Sequence, residues 1–287
     1  MTGTYQATKR VNLALTLPVV LNKMSFLEPG NGSPIELQQR LYGSSVGDIL
    51  LVGRSWVLDP ERKIKGNVML GTGLKFPTGN FRQQGTYADS TGTIRTRKAI
   101  PLTIMPGDGG LGILFEGLAY RQVNFPLRSS TLFAYGNYMV TPRNTTNTPS
   151  QVQTTLNPIF LVNPASQTAF LNTVPDTFSV RTGYLFGVPK AKSRWLKGLN
   201  FQIGYRFEGS PVRDLFGRSD GFRQPGYFMA VEPGIFYKYK RHLVSCTVPI
   251  SFLRVAQADI AQKNGSPDER TTAFSPASVN LRYTYAY

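Results

Sequence analysis

The sequence predicts an all-β protein: an antiparallel up-and-down transmembrane β-barrel with about ten strands of roughly 9 to 13 residues each. Three observations carry this. Apolar and polar side chains alternate with a period of two through most of the chain, and long connections alternate with short ones. The last residues repeat the pattern: Val279, Leu281, Tyr283, Tyr285 and Tyr287 leave one face, while Asn280, Arg282, Thr284 and Ala286 leave the other. A terminal strand of a soluble sandwich shares that last feature, so the remainder of the chain decides.

The first predicted strand, Arg10 to Lys23, aligns Val11, Leu13, Leu15, Leu17 and Val19. Gly47 to Val57 follows, then Ile64 to Phe76, which sets Val68, Leu70, Leu74 and Phe76 against Asn67, Gly71, Gly73 and Lys75. In Gly110 to Gln122 and Ser129 to Thr141 large side chains occupy both phases, so the outward face stays open. Phe178 to Val188 opposes Phe178, Val180, Tyr184 and Phe186 to Ser179, Arg181 and Gly183. Leu199 to Glu208 alternates most cleanly, with Leu199, Phe201, Ile203, Tyr205 and Phe207 facing away from Asn200, Gln202, Gly204, Arg206 and Glu208. Tyr227 to Tyr239, Leu243 to Leu253 and the terminal strand complete the series. In a membrane strand only every second residue meets lipid, which reconciles this pattern with 41% hydrophobic residues and a mean hydropathy of -0.19.

Bacterial barrels alternate short periplasmic turns with long external loops. Here the long segments are Phe26 to Val46, Thr78 to Gly109, Pro142 to Asp176, Gly209 to Gly226 and Val255 to Pro276. They take turns with short ones near Asp59 to Lys63, Val123 to Arg128, Pro189 to Gly198 and Tyr239 to His242. The 287 residues contain no low-complexity linker, so residues 1–287 are expected to form a single domain. The longest apolar run, Leu13 to Leu21, is broken by Thr16 and Pro18 and is too short for a membrane-spanning helix. Nothing near Met1 resembles a secretion signal, so an exported barrel is expected to have been trimmed or to begin upstream.

A net charge of +16 first suggests nucleic acid. Many of the 32 basic residues instead cluster at the short turns: Lys9, Arg10, Arg62, Lys63, Lys65, Arg128, Lys190, Lys192, Arg194, Lys197, Lys238, Lys240 and Arg241. There they form either a collar for anionic head groups or simply solvated turns. A second charged set lies on the polar strand face: Arg54, Lys75, Arg181, Arg206 and Arg282 with Glu116, Glu208 and Glu232. A charge facing lipid at the midplane costs roughly 2 to 4 kcal/mol, so these residues are expected to line a lumen. Left unpaired they would favour anionic solutes; paired with the glutamates they would plug the interior.

One histidine, His242, and one cysteine, Cys246, leave no cluster for a metal site, and His242 sits at a short turn, away from where a barrel hydrolase would work. Cys246 keeps phase with Val244, Val248 and Ile250 and reads as a small hydrophobe. No catalysis, metal or cofactor is expected. The loop Pro211 to Gly226 carries Arg213, Asp214, Arg218, Asp220 and Arg223 around Leu215, Phe216 and Phe222, and is expected to fold inward as a constriction or to cap the rim.

Several stretches resemble a known family. These are Gly47-Asp48-Ile49-Leu50-Leu51-Val52-Gly53-Arg54, the strand end Lys75-Phe76-Pro77-Thr78-Gly79, Pro106-Gly107-Asp108-Gly109-Gly110, Val174-Pro175-Asp176, and the run from Glu208 to Tyr227. They are similar to the outer-membrane barrels named for a proposed pathway of phenol degradation and to their transporter-like relatives without an assigned substrate. The resemblance runs from about Asn12 to the C-terminus. It implies about twelve strands in the complete protein, with an opening hairpin ahead of those read here. The expected function is passive uptake of small solutes across the outer membrane of a Gram-negative bacterium, the solutes being aromatic or hydrophobic by resemblance, or anionic by lumen charge. The alternative is a structural or adhesive barrel with a plugged lumen. Expected partners are the lipid bilayer, small solutes and the barrel-assembly machinery, which would read Tyr283, Tyr285 and Tyr287 as an insertion signal.

Overall fold

A computed structural model describes residues 1–28, 37–88, 95–125, 127, 130–142, 145–150, 162–188, 196, 198–267 and 274–286. The chain is all-β and antiparallel. In order, its elements are β1 (Thr2–Gln6), β2 (Val11–Thr16), β3 (Val19–Glu28), β4 (Leu37–Val46), β5 (Ile49–Trp56), β6 (Gly66–Phe76), β7 (Gln84–Ala88), β8 (Arg95–Ala99), a 3-10 turn (Leu102–Ile104), β9 (Gly112–Val123), β10 (Ser130–Val140), β11 (Thr145–Pro149), helix α1 (Pro164–Gln167), β12 (Leu171–Thr173), β13 (Thr177–Gly187), β14 (Leu199–Ser210), β15 (Gly226–Tyr239), β16 (His242–Thr247), β17 (Ile250–Ala256), helix α2 (Ile260–Lys263) and β18 (Asn280–Tyr285). No helix among the described residues is long and apolar enough to cross a membrane.

The principal sheet is a meander, β1-β2-β5-β6-β9-β10-β13-β14-β15-β16-β18, with β17 also on β15. Proline explains its interruptions. Pro18 has no N–H to donate, so it separates β2 from β3, and its carbonyl accepts from Gly47 where the facing strand breaks between β4 and β5. Pro249 likewise separates β16 from β17, which continue one strand along β15. The turn between β15 and β16 is Lys240-Arg241, with Lys240 at φ 51, the conformation that tight hairpins require.

Opposed residues of an antiparallel ladder share a face, so one register row reveals a whole side of the sheet. Arg54, Gly71, Glu116, Asn137, Ser179 and Glu208 form such a row from β5 to β14. This polar face is the buried one: Glu232 is 1% exposed, Glu116 7% and Arg206 8%. The opposite face is apolar and open: Leu15, Leu51, Leu70, Phe115, Leu132, Val180, Ile203, Ile235, Phe252, Leu281 and Tyr283 are all exposed. That inverts the usual arrangement of a water-soluble sheet.

The face left open by sequence alternation in β9 and β10 is settled here. Phe115 and Leu132 point outward, whereas Leu114 and Glu116 are buried.

Three features depart from the sequence expectation. A strand precedes the predicted first one, with β1 pairing β2 from Thr2↔Thr16 to Gln6↔Asn12. Among the described residues β1 and β18 are the two edges of the sheet and do not pair with each other, so no closed barrel is present. The long connections hold structure of their own: the hairpins β3–β4 and β7–β8, the pair β11–β12, and α1 and α2. Alternation over a long segment is the same in a hairpin as in an extended loop strand, so composition alone separates them poorly.

Ordinary apolar cores lie off the sheet, in these connections. Leu41, Ile100, Ile104 and Met105 form one cluster, with Met24, Tyr87 and Leu102 packed against it. Ala169, Phe222 and Ala261 form the other, flanked by Leu102 and Phe170. Short helices that cannot stand alone are pinned there by caps: the Asn163 side chain accepts from Ala165 N and Ser166 N, and Asp259 with Gln262 makes a capping box.

Candidate functional site

The polar face carries a belt of paired charge in two clusters. Arg54 on β5 pairs with Glu116 on β9 across the intervening strand β6. They can meet because Gly71 lies between them: a Cβ there would stand 2.8 Å from Glu116 Oε1 and 3.1 Å from Arg54 Cγ. Tyr135 donates to the other Glu116 oxygen at 2.9 Å, and Asn137 donates to Tyr135 at 3.1 Å. Farther along, Arg206 grips Glu232 through Nε at 3.1 Å and Nη2 at 2.7 Å, and Arg181 reaches the same carboxylate at 2.6 Å. Arg206 also contacts Glu208 at 3.4 Å, which accepts from Ser179 at 2.8 Å. Glu232 therefore serves two guanidiniums, a geometry in which Arg forks are strong.

Arg54, Arg181 and Arg206 are matched by Glu116, Glu208 and Glu232, so the excess of cations on which an anionic-solute expectation rested cancels within the belt. This is the paired alternative weighed from the sequence. Arg282 shares a face with buried Ser245 through the register Ser245↔Arg282, but it is exposed at the open edge.

Lys75 lies near one end of the polar face. Its Nζ contacts Asp108 and sits 3.6 Å from Asp48. Asp48 in turn accepts from the backbone N–H of Gly79 at 2.9 Å and of Asp108 at 3.2 Å. Gly79 and Gly107 cross so closely that a Cβ on either would meet the other backbone at 2.6–2.7 Å, and no larger residue fits. Thus Asp48, Lys75, Gly79, Gly107 and Asp108, scattered over separate stretches of the sequence, form one knot. Burial is the largest influence on Asp108 and raises its carboxyl above the ordinary range, against the opposing pull of Lys75 and the Gly110 N–H.

The loop from Pro211 to Gly226 is braced by a buried internal pair and docks on Asp176. Arg223 holds both Asp214 oxygens, at 2.9 and 2.7 Å, and neither side chain is exposed. Asp214 accepts from Asp176 N at 2.9 Å, and Asp176 accepts from Leu215 N at 2.8 Å and from Thr141 N at 2.7 Å. Phe222 exchanges backbone hydrogen bonds with Leu171 and Thr173. Of the residues anticipated to organise this loop, Phe222 packs and Asp214 pairs with Arg223. Leu215 and Phe216, by contrast, stand exposed at a turn whose Gly217 has φ 91, and Arg213, Arg218 and Asp220 are exposed with them. The turn geometry points Leu215 and Phe216 away from the packed side, which their hydrophobicity alone did not reveal.

Tyr283 and Tyr285 are exposed on β18, and His242 Nδ1 lies 2.8 Å from the Tyr283 hydroxyl. Cys246 is half-buried, and its register neighbours Ile235 and Leu281 are exposed, so it belongs to the apolar face. Tyr287, and Arg128, Lys190, Lys192, Arg194 and Lys197 of the anticipated basic collar, lie outside the described residues. At a described turn, Lys9 pairs with Glu61 at 2.7 Å, and that carboxylate raises the lysine pKa. No group of His, Cys, Asp and Glu suited to a metal ion occurs among the described residues.

Asp176, Tyr135 and Asn137 were not singled out from sequence as site residues. Asp176 does stand within a resembling stretch; the two on β10 gave no signal because the phase of that strand was open. The sequence matches no model of a known protein family and no curated protein.

Proposed function

We infer that the chain is a bacterial outer-membrane β-barrel that acts as a passive channel for small solutes. The observation that carries this reading is the inverted sidedness of the sheet, with Glu232, Arg206 and Glu116 buried and Leu70, Phe115, Ile203 and Leu281 exposed. In water an apolar face of that extent would be a severe liability; in hydrocarbon it is the stable arrangement. Strand length supports it. The 12 residues of β14, at about 3.3 Å each and tilted by about 45°, rise about 28 Å, the thickness of a bilayer core.

Strand direction says what closure would take. Every neighbouring pair in the meander β1-β2-β5-β6-β9-β10-β13-β14-β15-β16-β18 is antiparallel, so β1 and β18 run the same way. One further strand antiparallel to both would close a barrel of twelve, the number the family resemblance implies. Kinship with the barrels named for phenol degradation and their transporter-like relatives is proposed on the same motifs. Asp48, Lys75, Gly79, Gly107 and Asp108, which carry that resemblance, form the knot at the end of the polar face. The bilayer and the barrel-assembly machinery, acting on the strand with Tyr283 and Tyr285, are the proposed partners.

A structural barrel with a plugged lumen is the second reading, and the charge pairing around Glu232 and Glu116 favours it. Reconstitution of the full chain in planar bilayers separates the two. The channel reading expects discrete conductance steps; a protein that inserts, shifts on a gel with heating and never conducts supports the plugged barrel.

A further inference from the structure

A cavity of about 370 Å³ opens where the knot, the 3-10 turn and the docked loop meet. It is large enough for a small organic molecule and far larger than a packing void. Its walls are of two kinds. Leu102, Met105, Pro106 and Val174 supply apolar surface; Asp48, Asp108 and Arg223 are the charged residues. Leu102 flanks both apolar clusters of the connections, so the cavity lies at the seam between two packed units.

The charges determine what it accepts. Arg223 is held by both oxygens of Asp214 and neither side chain is exposed, so its positive charge is matched within that pair. Lys75 is shared between Asp48 and Asp108. Asp48 and Asp108 thus share the single cation Lys75, while Asp214 is matched by Arg223 and the buried Asp176 carboxylate is turned to Tyr138, Thr141 N and Leu215 N, so at the knot itself one negative charge is left over. It is presented by Asp108, whose side chain is 44% exposed, while Asp48 is 10% and Lys75 12%. We propose that this cavity binds a small apolar molecule carrying a single positive charge, an aryl- or alkylammonium ion, with its ammonium at the Asp108 carboxylate and its apolar body against Leu102, Met105 and Val174. The inference deepens the channel reading and rests on it only in treating the cavity as a stop on a solute's route.

A cation delivered there pairs with a carboxylate whose pKa is raised by partial desolvation. Because bound cation and proton compete for Asp108, affinity falls as pH drops through the raised pKa of that group.

The test is isothermal titration calorimetry on the full chain folded in detergent micelles, with phenethylammonium, 2-phenylethanol and phenylacetate as probes. Phenethylammonium is expected to bind saturably at one site, the alcohol at least about tenfold more weakly, and the carboxylate not at all. Asp108→Asn is expected to lower the ammonium affinity at least about tenfold while leaving that of the alcohol unchanged. Equal affinity for ammonium and alcohol would overturn the proposal, as would ammonium affinity unchanged in a heat-modifiable, folded Asp108→Asn protein. The comparison among the probes on the unaltered protein decides the matter even where the variant does not fold. Charge-selective binding without conductance would keep this site and remove the channel; conductance without charge-selective binding would do the reverse.

Discussion

In the sheet, Glu232 and Arg206 are buried while Ile203 and Leu281 stand exposed; in the connections, Phe222 and Leu41 are buried while Arg213 and Arg218 stand exposed. One chain thus obeys two opposite burial rules. The connections follow the rule of a protein in water, in which apolar side chains supply the driving force. The sheet does the reverse, turning Arg181, Arg206, Ser179, Glu208 and Glu232 to the buried side where they pair with one another, the arrangement that the proposed bilayer setting would require.

Substitutions in the two regions should therefore respond to opposite chemistry. The largest effect is expected in the connections. Phe222→Ala removes a ring packed with Ala169 and Ala261 and should cost about 3–5 kcal/mol of local stability. Protease should then cut the loop from Pro211 to Gly226 while the heat-modifiable sheet persists. Loss of the whole fold would mean that the regions are one cooperative unit.

Next comes the apolar face. Ile203→Arg should lower the free energy of folding into phospholipid vesicles by about 2–4 kcal/mol, measured by urea titration of tryptophan emission. A neutral outcome would place that face in water and remove the contrast.

Gly71→Ala probes the polar face and should cost about 1–3 kcal/mol in the same titration, because the new methyl lies against the Arg54–Glu116 pair. A variant as stable as the parent would show that the pair is loose. The smallest change belongs to the exposed loop tip. Phe216→Arg, at a position 61% exposed, should stay within about 0.5 kcal/mol. A cost resembling that of Ile203→Arg would mean that the tip, too, contacts lipid.

Much of the sheet was legible in the sequence because alternation is a local property. The residues from Leu199 to Glu208 alternate without interruption, and β14 follows them with Ile203 outward and Arg206 inward. In β9 the same logic stalled, since Leu114 and Phe115 are adjacent and both apolar, and only pairing shows that Leu114 is buried and Phe115 exposed. β1 is not legible in the sequence because Thr2–Gln6 has little apolar contrast.

The charged residues of the belt could be named from strand phase, but not their partners. Glu232 meets Arg181 across β14, and Glu116 meets Arg54 across β6, at sequence separations that no local pattern reports. The knot around Asp48 and the buried Asp214–Arg223 pair were harder still. The knot depends on loops converging, and the motif of the loop from Pro211 to Gly226 could equally have described an exposed Asp214–Arg223 ion pair.

Site-directed spin labelling tests the sidedness most directly. In a Cys246→Ser background folded into vesicles, labels at Ile203→Cys and Ser179→Cys would report collision with oxygen, which concentrates in hydrocarbon, and with a water-soluble nickel chelate. The account predicts oxygen dominance at position 203 and nickel dominance, or shielding from both, at position 179. Nickel dominance at position 203 would contradict it.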